Sequence, residues 1–245
     1  MRYLVIADIH SNLEALNAVL ESAKRYYYDR ILCLGDIVSY GAQPNECIEL
    51  LKKQNPICLL GNHDAACTGL MEEEPFGIST NFNEHAAECV KWTKKQLTES
   101  SRNFLSYLPK FFSMQFLLAV HGTNNDPLLE YMDAEKAEKC LKQVVEDLVL
   151  VGHTHKPFYY EAKQKDLTLV VGDRTINFSG KRMVVSIPSA GQPRDENPKA
   201  GYAVLDFQKR SLEIRRIEYN YKAAQEKIRK AGLPEIEAER LEKGI

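Results

Sequence analysis

Short apolar runs alternate with helical patterns along the first part of the chain. Residues 2–7, 31–34 and 56–60 are apolar runs that predict buried strands. The first two precede apolar residues at helical spacing, over about 13–24 and from Pro44 onward. Strand, loop and helix units in a row predict a parallel sheet, whose functional loops gather at the carboxyl ends of the strands. We therefore expect the segments that follow these strands to meet.

The pattern changes near residue 156, from alternating strands and helices to successive strands. Before it, we predict helices over 81–97, 101–108 and 133–145 and strands over 111–120 and 148–151; after it, we predict strands over 158–162, 167–171, 174–178, 182–187, 201–207 and 211–218, and two short helices within 222–245. The acidic, irregular residues 65–80 are interpreted as a mobile flap. No linker-like stretch divides the chain, so we expect a single domain over 1–245, with a half that carries the chemistry (1–155), a half of meandering strands (156–220) and a helical tail (221–245).

Composition and charge narrow the classes of function. Charged residues make up 27% of the chain and the formal net charge is -2, which argues against a surface that follows a nucleic-acid backbone by charge alone. No apolar run approaches membrane-spanning length, and residues 2–7 already form the first predicted strand, leaving no room for a secretory signal. We expect a cytoplasmic protein without a membrane partner.

The six cysteines have no Cys-x-x-Cys spacing, so we interpret them as buried apolar residues rather than disulfides or zinc ligands.

Polar residues capable of metal binding follow five of the strand-like runs. They are Asp8, His10, Asp36, Asn62, His63, His121, His153 and His155, and they include five of the six histidines of the chain. Taken singly, an aspartate could cap the next helix, the asparagine could serve a turn, and a histidine could be a hydrogen-bonded core residue. Because scattered core histidines would not all fall in such turns, the set as a whole predicts a shared site.

The types of donor in this set restrict the metal. Imidazole and carboxylate ligands suit first-row divalent ions, and the absence of thiolate spacing argues against a closed structural zinc site. Eight polar groups are too many for one four-coordinate ion and about right for two ions that share a bridging carboxylate. Two such ions clamp both the attacking and the leaving oxygen of a phosphoryl displacement.

The order of these motifs resembles the calcineurin-like metallophosphoesterase superfamily. The five blocks that carry the resemblance are Asp-x-His at 8–10, Gly-Asp at 35–36, Gly-Asn-His-Asp at 61–64, His-Gly at 121–122 and Gly-His-Thr-His at 152–155. Two later stretches, 191–195 (Gly-Gln-Pro-Arg-Asp) and 232–234 (Gly-Leu-Pro) with 240–244, resemble the small bacterial and archaeal branch that includes cyclic-nucleotide phosphodiesterases and diadenosine-tetraphosphatase-like proteins.

The resemblance implies an α/β fold, a layered α-β-β-α sandwich of two mixed sheets flanked by helices. It also implies a role for each residue of the set. Asp8, His10 and His155 would hold one metal, and Asn62, His121 and His153 would hold the other. Asp36 would bridge the two metals, and His63 would be the general acid, with Asp64 nearby to orient it.

The cofactor that the resemblance implies is a pair of divalent ions, with Mn²⁺ first and Fe²⁺, Ni²⁺, Zn²⁺ or Mg²⁺ as alternatives. The implied reaction is in-line attack of a metal-bridging hydroxide on a small phosphate ester, a phosphodiester or a nucleotide. His85 matches no motif and is interpreted as an ordinary helix residue.

Departures from the family pattern bear on the substrate. Where the protein Ser/Thr phosphatase branch has Asp and Arg after Gly-Asp, this chain has Ser39 and Tyr40, which disfavours a phosphoprotein substrate. Arg194 could replace the missing phosphate clamp, or be a surface arginine paired with Asp195 or Glu196. Tyr40 could stack on a base or simply pack against its neighbours.

Three other functions are alternatives to a phosphoesterase for small esters. They are a protein phosphatase, a non-catalytic scaffold on the same fold, and a nuclease, which the lack of a basic or aromatic stripe disfavours. The sequence leaves the oligomeric state open.

Overall fold

Two six-stranded sheets lie face to face in the computed structural model, which describes residues 1–71 and 81–245. In chain order, strands β1 to β12 are Arg2–Ile6, Arg30–Cys33, Ile57–Cys58, Phe111–Met114, Leu117–Val120, Leu148–Val151, Phe158–Glu161, Thr168–Leu169, Arg174–Asn177, Met183–Ser186, Ala200–Asp206 and Ser211–Ile217. Helices α1 to α8 are Leu13–Ala23, Pro44–Lys52, Asn62–Thr68, Glu84–Gln96, Glu99–Ser106, Ala134–Gln143, Tyr221–Lys230 and Glu235–Lys243.

Both sheets are mixed. The first has the order β3-β2-β1-β11-β12-β9, in which β3, β2 and β1 are parallel and the remaining pairs are antiparallel. The second has the order β4-β5-β6-β10-β7-β8, with β5, β6 and β10 parallel. Each sheet therefore takes strands from both sides of residue 156, so neither predicted half forms a sheet of its own. The carboxyl ends of the parallel strands in each sheet lie along one edge of that sheet, as the sequence predicted.

The side chains of β1 show how the layers are built. Tyr3 and Val5 point into the apolar layer between the two sheets, whereas Leu4 and Ile6 pack against helices on the outer face. A third apolar cluster joins the outer face of the second sheet to α6 through residues such as Leu141. A strand buried on both faces gives the unbroken apolar runs seen in the sequence. The predicted α-β-β-α sandwich of two mixed sheets is confirmed.

The clearest error of prediction is the single strand expected over 111–120. The structure divides it into β4 and β5, which pair antiparallel around a turn at Gln115, a residue with a φ of 55°. The run Phe-Phe-Ser-Met-Gln-Phe-Leu-Leu-Ala-Val contains none of the Gly, Asn or Pro residues that usually mark such a turn, so the pattern does not reveal it. The strand expected over 167–171 is also shorter, because Val171 is 90% exposed and only Thr168–Leu169 pairs with β7.

Other expectations fall on the segments that join these elements. Residues 65–68 belong to α3 rather than to an irregular flap, and 72–80, on which most of that expectation falls, lie outside the described residues. The six cysteines are buried and free, as predicted. Within residues 1–71 and 81–245, no helix is both long and apolar enough to cross a membrane.

Candidate metal centre

The loops after β1 and β2 are joined by backbone hydrogen bonds. The amide of Asp8 donates to the carbonyl of Gly35 at 3.1 Å, and that of His10 donates to the carbonyl of Asp36 at 3.0 Å. The loops after β5 and β6 are joined in the same way, since Gly152 donates to the carbonyl of His121 at 3.0 Å. Because each loop is held by its neighbour, their polar side chains are fixed at one edge of the fold.

Backbone strain is concentrated in these loops. Five of the predicted site residues have φ in the left-handed region, which is unusual without glycine, and they are Asp8 (53°), His10 (48°), Asp36 (53°), His153 (62°) and His155 (58°). Such a conformation costs about 1–3 kcal/mol per residue and is common where function demands a particular side-chain direction. Gly61 allows the loop after β3 to approach Asp36 closely, because an added Cβ there would collide with Oδ1 and the backbone nitrogen of Asp36.

One group of four side chains, Asp8, His10, Asp36 and His155, offers ligand atoms that all lie within 4.8 Å of one another. Nδ1 of His10 lies 3.2 Å from the carbonyl of Val38, and Nδ1 of His155 lies 2.6 Å from the carbonyl of Gln192. Because a carbonyl only accepts, each Nδ1 carries the hydrogen and each Nε2 carries a lone pair. The two Nε2 atoms face each other at 3.1 Å. Two facing lone pairs repel unless a cation lies against both, so this group fits a metal ion.

A second group repeats this arrangement around the same aspartate. Nε2 of His121 lies 3.0 Å from Oδ1 of Asn62, 3.2 Å from Nδ1 of His153 and 3.5 Å from Oδ2 of Asp36. The other ring nitrogens of the two histidines face carbonyl oxygens, that of Leu34 at 2.9 Å and that of Leu129 at 3.3 Å. Backbone carbonyls thus orient all four imidazoles, as is common for histidines that bind metals.

Two carboxylate oxygens complete the donor set. Asp8 accepts a hydrogen bond from the amide of His153 at 3.1 Å through Oδ1, and Asp36 accepts from the amide of His63 at 2.9 Å through Oδ1. The second oxygen of each carboxylate, Oδ2, is buried and has no hydrogen-bond partner in the part of the chain that the structure describes. A buried anionic oxygen without a partner is costly. The residues present therefore fit a pair of divalent cations, with Asp36 shared between the groups.

Burial keeps three of the imidazoles neutral at pH 7. It lowers the pKa of His153 to about 3 and holds the pKa values of His10 and His155 well below the ordinary value. For His121, burial also acts to lower the pKa, but the carboxylate of Asp36 outweighs it and raises the pKa to about 9. In the metal-free protein, His121 is therefore protonated at pH 7. Its positive charge faces Asn62, His153 and Asp36, where a metal ion would otherwise lie.

The two aspartates respond differently to the same surroundings. Burial raises the pKa of Asp8 to about 7, with a further rise from the charge of Asp36. Burial acts in the same direction on Asp36, but His121 and His63 outweigh it and hold the pKa of Asp36 well below its usual range. Asp36 is consequently the permanent anion of the centre.

His63 lies beside this centre among aromatic rings. Its ring centroid is 5.0 Å from that of His10, 4.5 Å from that of Tyr40 and 4.8 Å from that of Phe82. Burial lowers the pKa of His63 to about 4, against the influence of Asp36. Among the described residues, Nδ1 of His63 has no hydrogen-bond partner.

The family pattern implied that Asp64 orients His63, but in the structure the Asp64 carboxylate bonds to backbone amides instead. One oxygen of Asp64 accepts from the amides of Ile37 at 2.9 Å and Val38 at 3.1 Å, and the other accepts from the amide of Gly61 at 3.1 Å. The carboxylate of Asp64 therefore ties the loop after β2 to the start of α3. The reason is local, because an aspartate in the first turn of a helix is well placed to accept from backbone amides ahead of it.

Arg194 pairs with neither of the acidic neighbours considered for it. Nη2 and Nε of its guanidinium donate to Oε1 of Gln192 at 2.7 and 3.3 Å, and its Cζ lies 5.6 Å from the ring centroid of Tyr40. Tyr40 itself is buried and packs on His10, as a packed tyrosine would. Asp195 pairs instead with Arg216.

Three residues near the centre were missed by the sequence analysis. Tyr131 stacks on His153 with ring centroids 3.9 Å apart and is still 53% exposed, Phe82 contacts His63, and Gln192 bonds to both Arg194 and His155. No motif marked the two aromatic residues, since Phe82 lies at the start of the helix predicted over 81–97 and Tyr131 lies just before the one predicted over 133–145. Gln192 lies in the Gly-Gln-Pro-Arg-Asp stretch, where only the arginine was considered.

Divalent metal should stabilise the folded protein, and more so at alkaline pH. An ion present at about 100 times its dissociation constant adds about 2.7 kcal/mol, which for a chain of this size raises Tm by about 5–10 °C. Below its pKa of about 9, His121 must release a proton before it binds metal, so the rise should be larger at pH 8.5 than at pH 6.5. Thermal unfolding with and without Mn²⁺ at both values tests this.

The metal-free protein should show the opposite trend with pH. The pairing of protonated His121 with Asp36 is fully present below pH 6.5 and is lost as the pH rises through about 9, so Tm without metal should fall over that range. A chelator should remove the Mn²⁺ effect completely. An equal rise in Tm at both pH values would contradict the assignment of His121.

One family model and three known proteins resemble this chain over most of its length. A model described as calcineurin-like phosphoesterase superfamily domain matches residues 1–210. An uncharacterized protein of Methanocaldococcus jannaschii is 38% identical over 242 residues, which cover 97% of this chain and 96% of the relative. The crystal structure of a metallophosphoesterase from Sphaerobacter thermophilus is 34% identical, with a TM-score of 0.89 over 100% of this chain and 99% of that one. A hypothetical protein from Pyrococcus horikoshii OT3, 22% identical, has the same fold, with a TM-score of 0.81 over 100% and 98% of the two chains.

Proposed function

The chain belongs to the calcineurin-like phosphoesterase superfamily, and from this we propose that it is a dinuclear metal-dependent enzyme that hydrolyses a small phosphodiester or nucleotide. The observation that carries the proposal is the pair of donor groups around Asp36. Oδ2 of Asp36 lies 3.6 Å from Nε2 of His10 and 3.5 Å from Nε2 of His121, so one carboxylate oxygen faces both groups. Such a pair of sites suits an in-line displacement at phosphorus.

The proposed first site consists of Asp8, His10, His155 and the shared Asp36, and the second of Asn62, His121, His153 and Asp36. Two divalent ions held there would lower the pKa of a water between them to supply the nucleophile, and would neutralise charge on the phosphate. All-nitrogen-and-oxygen donors suit Mn²⁺, with Fe²⁺, Ni²⁺, Zn²⁺ and Mg²⁺ as the alternatives.

His63 is proposed as the general acid that protonates the leaving oxygen. A proton donor must lie beside the reacting group, and the His63 ring is next to His10 at the first site. The low pKa of His63, about 4, belongs to the protein without metals or substrate. A phosphate anion beside the ring raises this pKa and favours the protonated form.

Arg194 is proposed to hold the substrate phosphate. The amide of Arg194 donates to the carbonyl of His155 at 3.4 Å, and its Cζ lies 5.6 Å from the ring of Tyr40, which packs on His10, so the guanidinium lies close to the first site. A guanidinium can meet two phosphate oxygens at once, which fixes the ester relative to the nucleophile. Tyr131, exposed beside His153, offers an aromatic face to a nucleobase or aryl group, which favours an ester of that kind over a phosphoprotein.

Hydrolysis of an aryl phosphodiester tests the proposed function directly. Protein stripped of metal with a chelator and then supplied with Mn²⁺ should hydrolyse bis(4-nitrophenyl) phosphate, and the same protein without added ion should not. The monoester 4-nitrophenyl phosphate, a set of nucleotides and a set of dinucleoside polyphosphates then define the substrate class. Lack of turnover with Mn²⁺, Fe²⁺, Ni²⁺, Zn²⁺ and Mg²⁺, while circular dichroism shows a folded protein, would favour a non-catalytic scaffold.

A further inference from the structure

Glu237 is a carboxylate buried in the helical tail, far along the chain from the metal centre. It lies in the first turn of α8 and is 2% exposed, whereas its neighbours Glu235 and Glu239 face solvent. Burying a carboxylate is costly unless it is paired or hydrogen-bonded. Oε2 of Glu237 accepts from Nε2 of Gln192 at 2.8 Å and from Nη1 of Arg240 at 3.2 Å.

Gln192 connects this carboxylate to Arg194. Its side chain is also buried, and its Oε1 accepts from Nη2 and Nε of Arg194 at 2.7 and 3.3 Å. A carboxylate can only accept hydrogen bonds and a guanidinium can only donate them. The amide of Gln192 is therefore forced to point its nitrogen at Glu237 and its oxygen at Arg194, and no other orientation satisfies both neighbours.

The backbone of the same loop is equally constrained. The carbonyl of Gln192 accepts from Nδ1 of His155, its amide donates to Oγ of Ser189 at 2.9 Å, and the amide of Arg194 donates to the carbonyl of His155 at 3.4 Å. With the backbone held against a proposed metal ligand, the direction of the guanidinium depends on its side-chain partners. These are Gln192, which accepts from two of its nitrogens, and the hydroxyls of Tyr40 and Tyr131.

A second contact ties the tail to this loop. The amide of Glu196 donates to the carbonyl of Gly244 at 2.8 Å, just beyond the end of α8. Gly244 has a φ of 69°, and a Cβ there would lie 2.6 Å from the backbone of Asn197. The loop that contains the 191–195 motif and the tail that contains 232–234 and 240–244 therefore form one structural unit.

We propose that Glu237 is a positioning residue, which fixes the amide of Gln192 and through it the Arg194 guanidinium that holds the substrate phosphate; this inference rests on the proposed phosphoesterase function. The helical tail thus belongs to the substrate site through the hydrogen bond between Glu237 and Gln192. Removing the constraint should weaken binding of the phosphate ester without altering the metals.

Glu237→Gln keeps the shape of the side chain and weakens the constraint. It removes the negative charge that both Gln192 and Arg240 contact, and once the partly exposed Arg240 turns to solvent, the new amide can present either its nitrogen or its oxygen to Gln192. We expect KM for bis(4-nitrophenyl) phosphate to rise about tenfold, with kcat changed less than twofold and metal content unchanged. Gln192→Glu alone places two carboxylates side by side and should impair binding at least as much. The double variant Gln192→Glu/Glu237→Gln exchanges the two groups: the carboxylate at 192 accepts from the amide at 237 and from Arg194, and KM should return to within about threefold of the wild type.

Gln225→Met is the matched control. Gln225 is buried in α7 and donates to the carbonyl of Ala238 at 3.0 Å, so this variant loosens the docking of α8 without touching Gln192. It should lower Tm about as much as Glu237→Gln and leave KM unchanged. If Gln225→Met raises KM as much as Glu237→Gln does, or if the double variant is no better than either single one, Glu237 merely holds the tail in place and the inference is wrong.

A nuclear magnetic resonance signal separates this inference from the proposed function. In the zinc-loaded protein, the Nε–H resonance of Arg194, assigned with Arg194→Lys, should exchange slowly with water because it is bonded to Gln192. It should exchange faster in Glu237→Gln and slowly again in the double variant. If this pattern appears in a protein that hydrolyses no ester, the positioning stands and the phosphoesterase proposal fails; if turnover is present but neither exchange nor KM responds, only the inference fails.

Discussion

Replacing Asp36 with asparagine should abolish turnover and prevent the protein from holding two metal ions. The amide keeps the size of the side chain but removes the negative charge and one of the oxygen donors shared by the two groups. Charge stabilisation by metal is worth several kcal/mol, and each 1.36 kcal/mol corresponds to a factor of ten in rate. We therefore expect kcat/KM to fall by about 10³-fold or more, and elemental analysis to find fewer than two ions per chain.

Asp206→Asn is a matched control for that substitution. Asp206 is a largely buried aspartate of the first sheet, where it accepts from the amides of Gln208 and Lys209 and from Arg2. Its replacement should lower Tm by a few degrees and leave metal content and kcat/KM unchanged. Two ions per chain and full activity in Asp36→Asn would refute the shared carboxylate and, with it, the dinuclear assignment.

Replacing His63 with alanine should leave the metals in place and slow the chemical step. A general acid contributes about 10²–10⁴-fold, and the loss should depend on the leaving group. 4-Nitrophenolate leaves readily without a proton, so its ester should suffer the smaller loss. An alkyl or nucleoside ester, whose leaving oxygen is far more basic, should suffer the larger one. Steady-state rates with both classes of ester, together with the metal content, measure this difference.

His85→Ala serves as the control, since His85 is an exposed residue of α4, as an ordinary helix histidine would be. This variant should behave as the wild type with every ester. Equal losses for good and poor leaving groups in His63→Ala would mean that His63 acts by packing against Tyr40 and Phe82 rather than by donating a proton. Loss of metal in the same variant would point to a structural role at the first site.

The layered fold was predictable because its signals are local and periodic. Buried strands such as β6 appear as unbroken apolar runs, and the polar residues that follow them mark the edge where the loops meet. The prediction was wrong where a local signal was missing, as at the turn between β4 and β5, where Gln115 has a left-handed conformation in the middle of an apolar run.

The role implied for Asp64 shows the limit of a motif. Its position one residue after His63 suggested a partnership, but direction matters more than sequence distance. In α3 the carboxylate turns back to the amides of Ile37, Val38 and Gly61, so the motif contains a residue that joins two loops. Sequence spacing cannot distinguish these outcomes, because the direction of the Asp64 carboxylate is set by backbone amides of another loop.

By itself, the sequence determined which residues gather at the edge of the sheet, because chain order and apolar pattern dictate where each parallel strand ends. Only the tertiary structure decided which nitrogen of each imidazole faces the centre, since that depends on carbonyls such as those of Val38 and Leu34 in neighbouring loops. It also decided that Glu237 reaches Arg194 through Gln192, across 45 residues of sequence. Hydrogen bonds between distant segments leave no periodic trace in a chain, so they become visible only once the segments are packed together.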